Sequence, residues 1–492
     1  MPRGSYWPRA KMLGGCSAMN FMLYVRGNER DYNSWAESGC EGWSWQEVLE
    51  YFRKSERNEL FGNSSFHSLD GELKVGKFSR GNPLMETFID AAVELGYAKL
   101  KDINGNKFIG MVELQGTVYK GRRQSAAKVF LSSVVRPNLH LIRNAQVMKV
   151  ILENFSATGI QFRLQNNKLM EVKAKKEIIL SAGAINTPQI LMLSGLGPNI
   201  HLNMHGIETL VDLPVGKNLQ DHVIVAYFIA LEPGNEEDDV IKDYLQYLLS
   251  QSGLFAGNGG THITLFLNTE TIGSKYPNLQ YHYLFFRKGD SYRMPQFLKL
   301  MSYEKDIHKT ITKVSKKSDI AVVWITLLNP VSVGHIELRS SNPFEKVKIF
   351  PNYLNDSNDV RLLVDGLKWQ RKFLNTKAMR SLNATELRFK IPECDDNPID
   401  SDEYLKCYVS FFSTTIYHPV GTARMGPTRD QRAVVDPQLR VRGTKGLRVI
   451  DASIMPNIIS GNTNAPSIMI GEKGADLIKT DWLHIDLSHS EL

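Results

Sequence analysis

Apolar residues recur along the chain with two different periods, which predict strands in some segments and helices in others. Between residues 139 and 181, apolar runs separated by turns at Asn154-Phe155 and Asn166-Asn167 predict successive strands. Further strand-rich sequence lies at 261–268, 279–286, 319–328 and 334–340. Helical spacing predicts helices at 49–60, at 82–98 with Asn82 as a cap, at 357–375, and from Ser401 onward. Two strand blocks separated by helices predict an α+β or α/β assembly of two interleaved units.

The clearest local geometry lies at residues 177–198, in "EIILSAGAINTPQILMLSGLGP". An apolar strand ends at 181–183, and Asn186 or Thr187 is expected to cap the following helix, with Pro188 in its first turn. A helix N-terminus directly after a buried strand presents N–H groups and a positive dipole end to an anionic cofactor. Many such turns are only structural, and the residues alone leave both interpretations open.

A second run of small residues, 14–18, lies within "KMLGGCSAMN" near the start of the sequence. Such a run lets backbone N–H groups approach a phosphate closely, and glycine tolerates the tight turn that this requires. Phosphate-binding loops normally follow a strand, whereas only ten residues precede this stretch. The run therefore indicates part of a nucleotide site without the strand expected before it.

Composition and charge narrow the possible partners. The 492 residues carry a net charge of +7, from 59 Lys and Arg against 52 Asp and Glu, with no basic stripe. The lysines at 309–317 are interpreted as a solvated helix face, so we expect no nucleic-acid partner. The longest apolar stretch, 320–333, is shorter than the roughly 20 residues of a bilayer span and contains Pro330. The opening "MPRGSYWPRAK" lacks an apolar signal core, so we expect neither a membrane span nor a signal peptide in this sequence.

The four cysteines differ in their surroundings. Cys394 and Cys407 bracket a short polar loop and are placed to form a disulfide if the protein is exported. Cys16 and Cys40 have no obvious partners. Free thiols in a reducing compartment are the alternative, which spacing alone leaves open. We predict the disulfide for the mature, exported protein.

Five stretches resemble the glucose-methanol-choline (GMC) oxidoreductases, flavoproteins that oxidise alcohols. "GAINTPQILMLSGLG" resembles the second signature of that family, and "KMLGGCSAMNFMLYVRGNERDYNSW" resembles the first, with Cys16 where Ser or Thr is usual. "LPVGKNLQDH" at 213–222 and "HPVGTARMGP" at 418–427 fit as well. The segment from "VVDPQLRVRG" to "GEKGADLI" is most similar to the insect branch, whose members include FAD-dependent glucose dehydrogenases. The resemblance extends over nearly the whole chain.

The resemblance implies FAD as the cofactor and assigns residues to its site. Val147 would contact the adenine through its backbone, although its alternation with other apolar residues is equally typical of a core position. No metal site is expected. The full set of expected FAD-binding residues is Gly14, Gly15, Ser17, Asn20, Val147, Ala182, Gly183, Asp451 and Ala452.

The resemblance also implies a catalytic pair, His418 and Asn462, each in a turn rich in Gly and Pro or Asn. Oxidation of an alcohol removes a hydroxyl proton and delivers hydride to the flavin, and histidine is suited to taking that proton. Asn462 would orient the substrate and donate to the developing alkoxide. The expected partners are a small alcohol or sugar and an electron acceptor, oxygen or a quinone. The full-length form is expected to be secreted.

One family feature has no counterpart in this sequence. A strand with GxGxxG and a helix, which hold the ADP part of FAD, precede the first signature in the family. No GxGxxG occurs here, so we expect a truncated start, poor FAD binding by the chain as written, and an exposed apolar face. The expected division is 1–225 for an incomplete FAD-binding region, 226–330 for part of a substrate domain with an antiparallel sheet, and 331–480 for the catalytic pair. A non-catalytic binding module of the same fold is the alternative.

Overall fold

A computed structural model of the chain describes residues 4–78, 84–132, 136–234, 239–258, 260–271 and 273–483. The helix cap expected at Asn82 lies outside these ranges. None of the helices within them is both long and apolar enough to cross a bilayer.

Twelve α-helices lie in the described residues. Their bounds are α1 Glu29–Glu37, α2 Trp45–Ser55, α3 Met85–Glu94, α4 Gly183–Leu193, α5 Asn199–Met204, α6 Val240–Ser250, α7 Arg293–Met301, α8 Lys305–Ser315, α9 Ser357–Leu374, α10 Lys377–Ser381, α11 Asp402–Phe412 and α12 Asn464–Leu483. Single 3₁₀ turns occur at Gly15–Ala18, Leu254–Ala256 and Ala452–Ile454, and a π-helical turn at Ala127–Leu131.

The described strands are mostly short, and eight of them have nine, eight or five residues. Their bounds are β1 Glu56–Asn58, β2 Leu73–Lys77, β3 Lys99–Leu100, β4 Gly110–Glu113, β5 Gln115–Gly116, β6 Val118–Tyr119, β7 Arg122–Arg123, β8 Ala145–Glu153, β9 Ser156–Leu164, β10 Leu169–Lys173, β11 Ile178–Leu180, β12 Leu196–Gly197, β13 Val211–Asp212, β14 Val223–Leu231, β15 Ile263–Leu267, β16 Leu279–Phe286, β17 Asp319–Leu327, β18 His335–Glu337, β19 Lys348–Phe350, β20 Thr385–Glu386, β21 Ser413–Thr415 and β22 Leu447–Val449.

An eight-stranded sheet forms one half of the molecule, in the order β20-β14-β17-β16-β15-β4-β3, with β21 also paired to β14. Its three long strands β14, β16 and β17 pair antiparallel and are buried on both faces. Helix α9 covers one face, where Tyr281 donates its hydroxyl to the Gly366 carbonyl at 3.0 Å. A Cβ at Gly366 would lie 2.8 Å from Ile325, so only glycine allows this approach.

The second half packs around a separate hydrophobic core. It contains the antiparallel sheet β10-β9-β8, the parallel pair β11-β22, and helices α2, α4 and α12. Because β11 and β22 lie about 270 residues apart in sequence, this half is assembled from both ends of the chain. The predicted fold class, two interleaved units with an antiparallel sheet in one of them, is confirmed.

The element boundaries differ from prediction where distant residues intervene. The helix expected at 49–60 ends at Ser55, because 56–58 forms a parallel strand with β2. Residues 139–144 are not a strand, and β8 begins at Ala145. Leu139 and Leu141 are about half exposed, so this segment has no buried apolar face that would stabilise a strand. The strands at 279–286 and 319–327 and the helix at 357–374 agree with prediction within one residue.

Cys394 and Cys407 form a disulfide that ties helix α11 to the loop before it, as predicted. Cys40 is buried and Cys16 half-buried, and both are free thiols. The disulfide closes a short loop whose first residue, Cys394, is fully buried in the core of the sheet half.

Removing this disulfide should destabilise the protein without touching the rest of the fold. The double variant Cys394→Ala, Cys407→Ala should lower the free energy of unfolding by roughly 3 kcal/mol, the chain-entropy value for a loop of this size. Urea unfolding measures it, with Cys16→Ala as the control that loses only a free thiol. Thiol labelling of denatured, unreduced protein from a secretory host should modify only Cys16 and Cys40. Labelling at Cys394 and Cys407 would contradict the prediction.

Candidate active site

The turn that carries His418 is held by the buried carboxylate of Asp221. This carboxylate accepts the His418 backbone N–H at 2.8 Å, the Thr415 hydroxyl at 2.5 Å and the Tyr353 hydroxyl. Tyr417 adopts a left-handed backbone conformation, with φ of 69°, and donates its N–H to Thr415. The three donors satisfy a carboxylate that burial would otherwise penalise, and burial still raises its pKa to about 6.

The side chains of His418 and Asn462, 44 residues apart, meet directly. Asn462 Nδ2 lies 3.3 Å from His418 Nε2. Asn462 precedes α12, the last described helix, and is buried. On its other side Asn462 Oδ1 accepts from Gln280 Nε2 of β16 at 3.5 Å, so its amide oxygen faces the sheet and its nitrogen faces the imidazole.

Two further histidines surround His418. His222 Nδ1 lies 2.9 Å from His418 Nδ1, with the two rings nearly perpendicular at 85°. Burial lowers the pKa of His222 to about 4 and that of His282 to about 3. Burial, with His222 and His282 adding to it, holds the pKa of His418 well below its usual range. All three imidazoles are therefore neutral at pH 7.

The sheet contributes a row of polar side chains beside this pair. His282 lies opposite Trp324, and Gln280 opposite Thr326, so all four project from the same face of β16 and β17. His282 Nε2, Trp324 Nε1 and Thr326 Oγ1 are buried and have no hydrogen-bond partner among the described residues. Buried polar atoms of this kind are normally paired, so this face is suited to a polar ligand.

Sequence reasoning missed Asp221, His222, Gln280 and His282 as site residues. The first two lie in "LPVGKNLQDH", a stretch that resembles the family but suggests no role for either residue. The signal for the others is polar residues at alternate positions of a strand, "LQYHYLFF", that is buried throughout. Two polar side chains on one face of a buried strand indicate a ligand or a polar contact.

The small-residue run forms a tight turn whose side chains are used to hold it. Gly14 and Gly15 have positive φ values of 85° and 54°. Ser17 Oγ donates to the Gly14 carbonyl at 2.6 Å and accepts the Ala126 N–H at 2.9 Å. Asn20 Oδ1 accepts from the Met22 N–H and from Arg123, both at 2.9 Å. Ser17 and Asn20 thus fix the turn, and the Gly15 N–H also holds it by donating to the Met12 carbonyl at 3.1 Å.

The other expected cofactor residues border the same region. Asp451 accepts the Gly183 N–H at 2.8 Å and the Thr187 hydroxyl at 2.5 Å, so Ala182-Gly183 and Asp451-Ala452 are joined. Val147 is half-buried in β8 opposite Phe162. Its neighbour Gln146 accepts from Lys11 Nζ at 3.4 Å, which brings the start of the first signature to this strand.

The cap of α4 differs from prediction. The helix begins at Gly183, with Pro188 inside it and neither Asn186 nor Thr187 as its cap. Proline lacks the N–H that would bond the Ala184 carbonyl, and the Thr422 hydroxyl donates to that carbonyl instead, at 2.6 Å. Thr422 belongs to "HPVGTARMGP", so the second signature is bonded to the segment that carries His418.

The segments of the expected catalytic and cofactor residues also meet through backbone contacts. The Gly421 N–H donates to the Ala452 carbonyl at 3.2 Å. A Cβ at Gly421 would lie 2.5 Å from the Asn218 carbonyl oxygen, and its φ is 85°, so this position requires glycine. These contacts join the segments that carry His418, Ala182-Gly183 and Asp451-Ala452.

Comparisons with known proteins identify the family. The models described as GMC oxidoreductase match residues 2–224 for the N-terminal part and 330–471 for the C-terminal part. The chain is 37% identical to glucose dehydrogenase [FAD, quinone] of Drosophila pseudoobscura pseudoobscura, over 98% of this chain and 76% of that protein. It is 37% identical to alcohol dehydrogenase [acceptor] of Pseudomonas putida, over 99% of this chain and 85% of that protein.

Solved structures agree on the fold. A variant of Aspergillus oryzae formate oxidase superposes with a TM-score of 0.83 at 24% identity, over 97% of this chain and 85% of that one. The chain belongs to the GMC oxidoreductase family. It is an FAD-dependent oxidoreductase that acts on CH–OH groups of its donors.

The residues present fit part of an FAD. Nothing lies within 4 Å of the Cβ position of Gly15, so the backbone there is open to a close ligand. Arg9 Nη2 lies 3.2 Å from the Cβ position of Gly183 and brings a positive charge to the start of α4. Open glycine backbone and a guanidinium suit the diphosphate of a dinucleotide. The described residues contain no group of three or more His, Cys, Asp or Glu able to hold a metal ion.

The hydroxyl of Thr422 should matter for stability because it bonds the carbonyl that Pro188 leaves free. Thr422→Val should lower the free energy of unfolding by about 1–3 kcal/mol, the cost of a buried acceptor without its donor. Thr422→Ser keeps the hydroxyl and should lose less. Chemical denaturation of the two variants measures the difference, and equal stability of Val and Ser variants would show that this bond contributes nothing.

Proposed function

We propose that the chain oxidises a neutral alcohol or sugar, with His418 as the base and Asn462 as the donor that orients the hydroxyl. The observation that carries the proposal is the direct contact of His418 Nε2 with Asn462 Nδ2 at 3.3 Å. Beside it lies a row of polar atoms on the sheet that find no hydrogen-bond partner in the described part of the chain. Two groups this close can share one substrate oxygen. The presence of the complete pair argues against a binding module without activity.

The chemistry follows from the two side chains. A neutral imidazole accepts the hydroxyl proton at His418 Nε2 as the C–H bond is broken. The Asn462 amide has two N–H bonds and can donate to the alkoxide oxygen that develops. Gln280 holds the Asn462 oxygen and so keeps that nitrogen directed toward the reacting group. When bound, FAD supplies the acceptor for the hydride.

The cofactor-binding roles are likewise proposals. We assign Gly14 and Gly15 to close backbone contact with FAD, and Ser17 and Asn20 to the support of that turn. Ala182, Gly183, Asp451 and Ala452 would border the diphosphate and ribityl chain, and Val147 the adenine. The hydrogen bonds from the Gly183 N–H to Asp451 and from the Ser17 hydroxyl to the Gly14 carbonyl support a preformed cradle.

The substrate and acceptor are inferred from chemistry and from relatives. His282, Trp324 and Thr326 offer polar atoms to hydroxyl groups, and neutral histidines favour an uncharged donor. The relatives named glucose dehydrogenase and alcohol dehydrogenase support a sugar or alcohol, and the quinone in the first name supports a quinone acceptor, with oxygen as the other candidate. We further propose membership of the insect branch and an exported mature form, which the Cys394–Cys407 disulfide supports.

Replacing the pair should separate the two roles. His418→Ala should slow flavin reduction by roughly two to four orders of magnitude, the range for a positioned acid–base group. Asn462→Ala should slow it by about a hundredfold, because one donor is lost and the base remains. Stopped-flow absorbance of the FAD-loaded enzyme measures both.

The control is His140→Ala, which removes an exposed imidazole. An unchanged flavin spectrum and melting temperature exclude loss of the fold or of the cofactor. Reduction at nearly the wild-type rate in His418→Ala would refute the assignment of the base.

The pH dependence of reduction should reflect a buried base. Because the pKa of His418 is held well below its usual range, the neutral form persists as the pH falls through about 6.5, the ordinary imidazole value. The rate should therefore stay constant across that pH and fall only at more acidic values, when Nε2 becomes protonated. Measuring the limiting reduction rate between pH 4.5 and 8 tests this; an acid limb at or above pH 6.5 would contradict it.

A further inference from the structure

His222 is the closest polar neighbour of the proposed base and has no role in the chemistry described so far. It is fully buried and follows Asp221, the residue that holds the His418 backbone. Its ring contacts His418 through the two Nδ1 atoms, 2.9 Å apart. The other groups that face it are the His282 imidazole and the backbone of Leu328 and Ile459.

The proton positions in this contact follow from the Leu328 carbonyl. His222 Nε2 lies 3.1 Å from that oxygen. A carbonyl oxygen only accepts, so Nε2 of His222 must carry a hydrogen. Burial keeps His222 neutral, so it carries one ring hydrogen and its Nδ1 has a lone pair. A bond between the two Nδ1 atoms then requires His418 Nδ1 to be the donor.

The proton on His418 Nδ1 leaves its Nε2 unprotonated. That nitrogen is the one that faces Asn462 Nδ2, a donor whose orientation Gln280 fixes. The opposite arrangement of protons would place a His222 lone pair against the Leu328 oxygen and leave Asn462 Nδ2 facing an N–H group. Both contacts would be repulsive, so the contact of His222 with Leu328 and that of His418 with Asn462 favour the same direction.

We propose that His222 is a positioning residue that fixes the Nδ1–H tautomer of His418, so that Nε2 is free to accept the substrate proton. This inference rests on the proposed function, in which His418 is the base. The proton from the substrate hydroxyl goes to Nε2, and the resulting imidazolium keeps its Nδ1–H bond to His222. The group that accepts from His418 Nδ1 is the neutral imidazole of His222. A carboxylate in the same position would also add a negative charge.

Glutamine is a conservative replacement for His222 because it can keep the contacts with both His418 and Leu328. Gln at position 222 can accept from His418 Nδ1 through its oxygen and donate to the Leu328 carbonyl through its nitrogen. Leu at this position has a similar size but neither polar atom. His222→Leu should slow flavin reduction by at least about tenfold, with the substrate concentration for half-maximal rate unchanged, and His222→Gln should restore most of the rate.

The control is His262→Leu, which removes a buried imidazole whose two nitrogens have no partner among the described residues. It should leave the reduction rate within about twofold. Melting temperature and flavin spectrum of each variant report on the fold. A wild-type rate in His222→Leu, or a His222→Gln variant as slow as His222→Leu, would overturn the proposal.

A direct readout of the tautomer needs no variant at position 222. ¹⁵N NMR of histidine-labelled, FAD-loaded wild type should show His418 protonated at Nδ1 and unprotonated at Nε2, with the signals assigned by their loss in His418→Asn. A proton on Nε2 in place of Nδ1 would overturn the inference whatever the kinetics. Failure of the proposed function appears differently, as rapid flavin reduction in His418→Ala with the same tautomer in the wild type.

Discussion

The carboxylate of Asp221 is the contact on which the arrangement of the active site depends. It accepts the backbone N–H of His418 and the hydroxyls of Thr415 and Tyr353, and so joins three separate segments of the chain. A buried carboxylate must find donors, because its desolvation is costly without them. The position of His418 therefore follows from the hydrogen bonds that the buried Asp221 carboxylate requires. His222 is the next residue after Asp221, so it lies beside the His418 ring.

Burial sets the electrostatics of the site. The imidazoles of His222, His282 and His418 lie near one another at the sheet, and burial lowers the pKa of each. Neutral rings tolerate one another at hydrogen-bond distance, whereas two charged rings would repel strongly in a medium of low polarity. A neutral His418 is also the form that accepts a proton, so the condition that makes the cluster stable is the condition that the chemistry requires.

Long-range contacts hold the proposed cofactor-binding segments to the proposed catalytic segments. Strand β11 pairs with β22, Asp451 bonds the start of α4, and Thr422 bonds the Ala184 carbonyl that Pro188 leaves free. Each contact joins residues more than 230 positions apart, so the signatures that lie far apart in the sequence meet at one surface. Glycine is needed at position 421 because a Cβ there would lie 2.5 Å from the Asn218 carbonyl oxygen.

The sequence by itself determined the elements whose signals are local. The period and apolar content of the sequence predicted β16 and α9 within one residue. The family resemblance predicted a catalytic pair of His418 and Asn462, and their side chains are in contact. The contact of His222 with His418 joins positions 196 apart, and α4 begins at Gly183 because Asp451, 268 residues further on, takes its N–H. No local pattern encodes such contacts. Tertiary structure alone decided them, because a buried polar atom bonds whichever partner packing brings within reach.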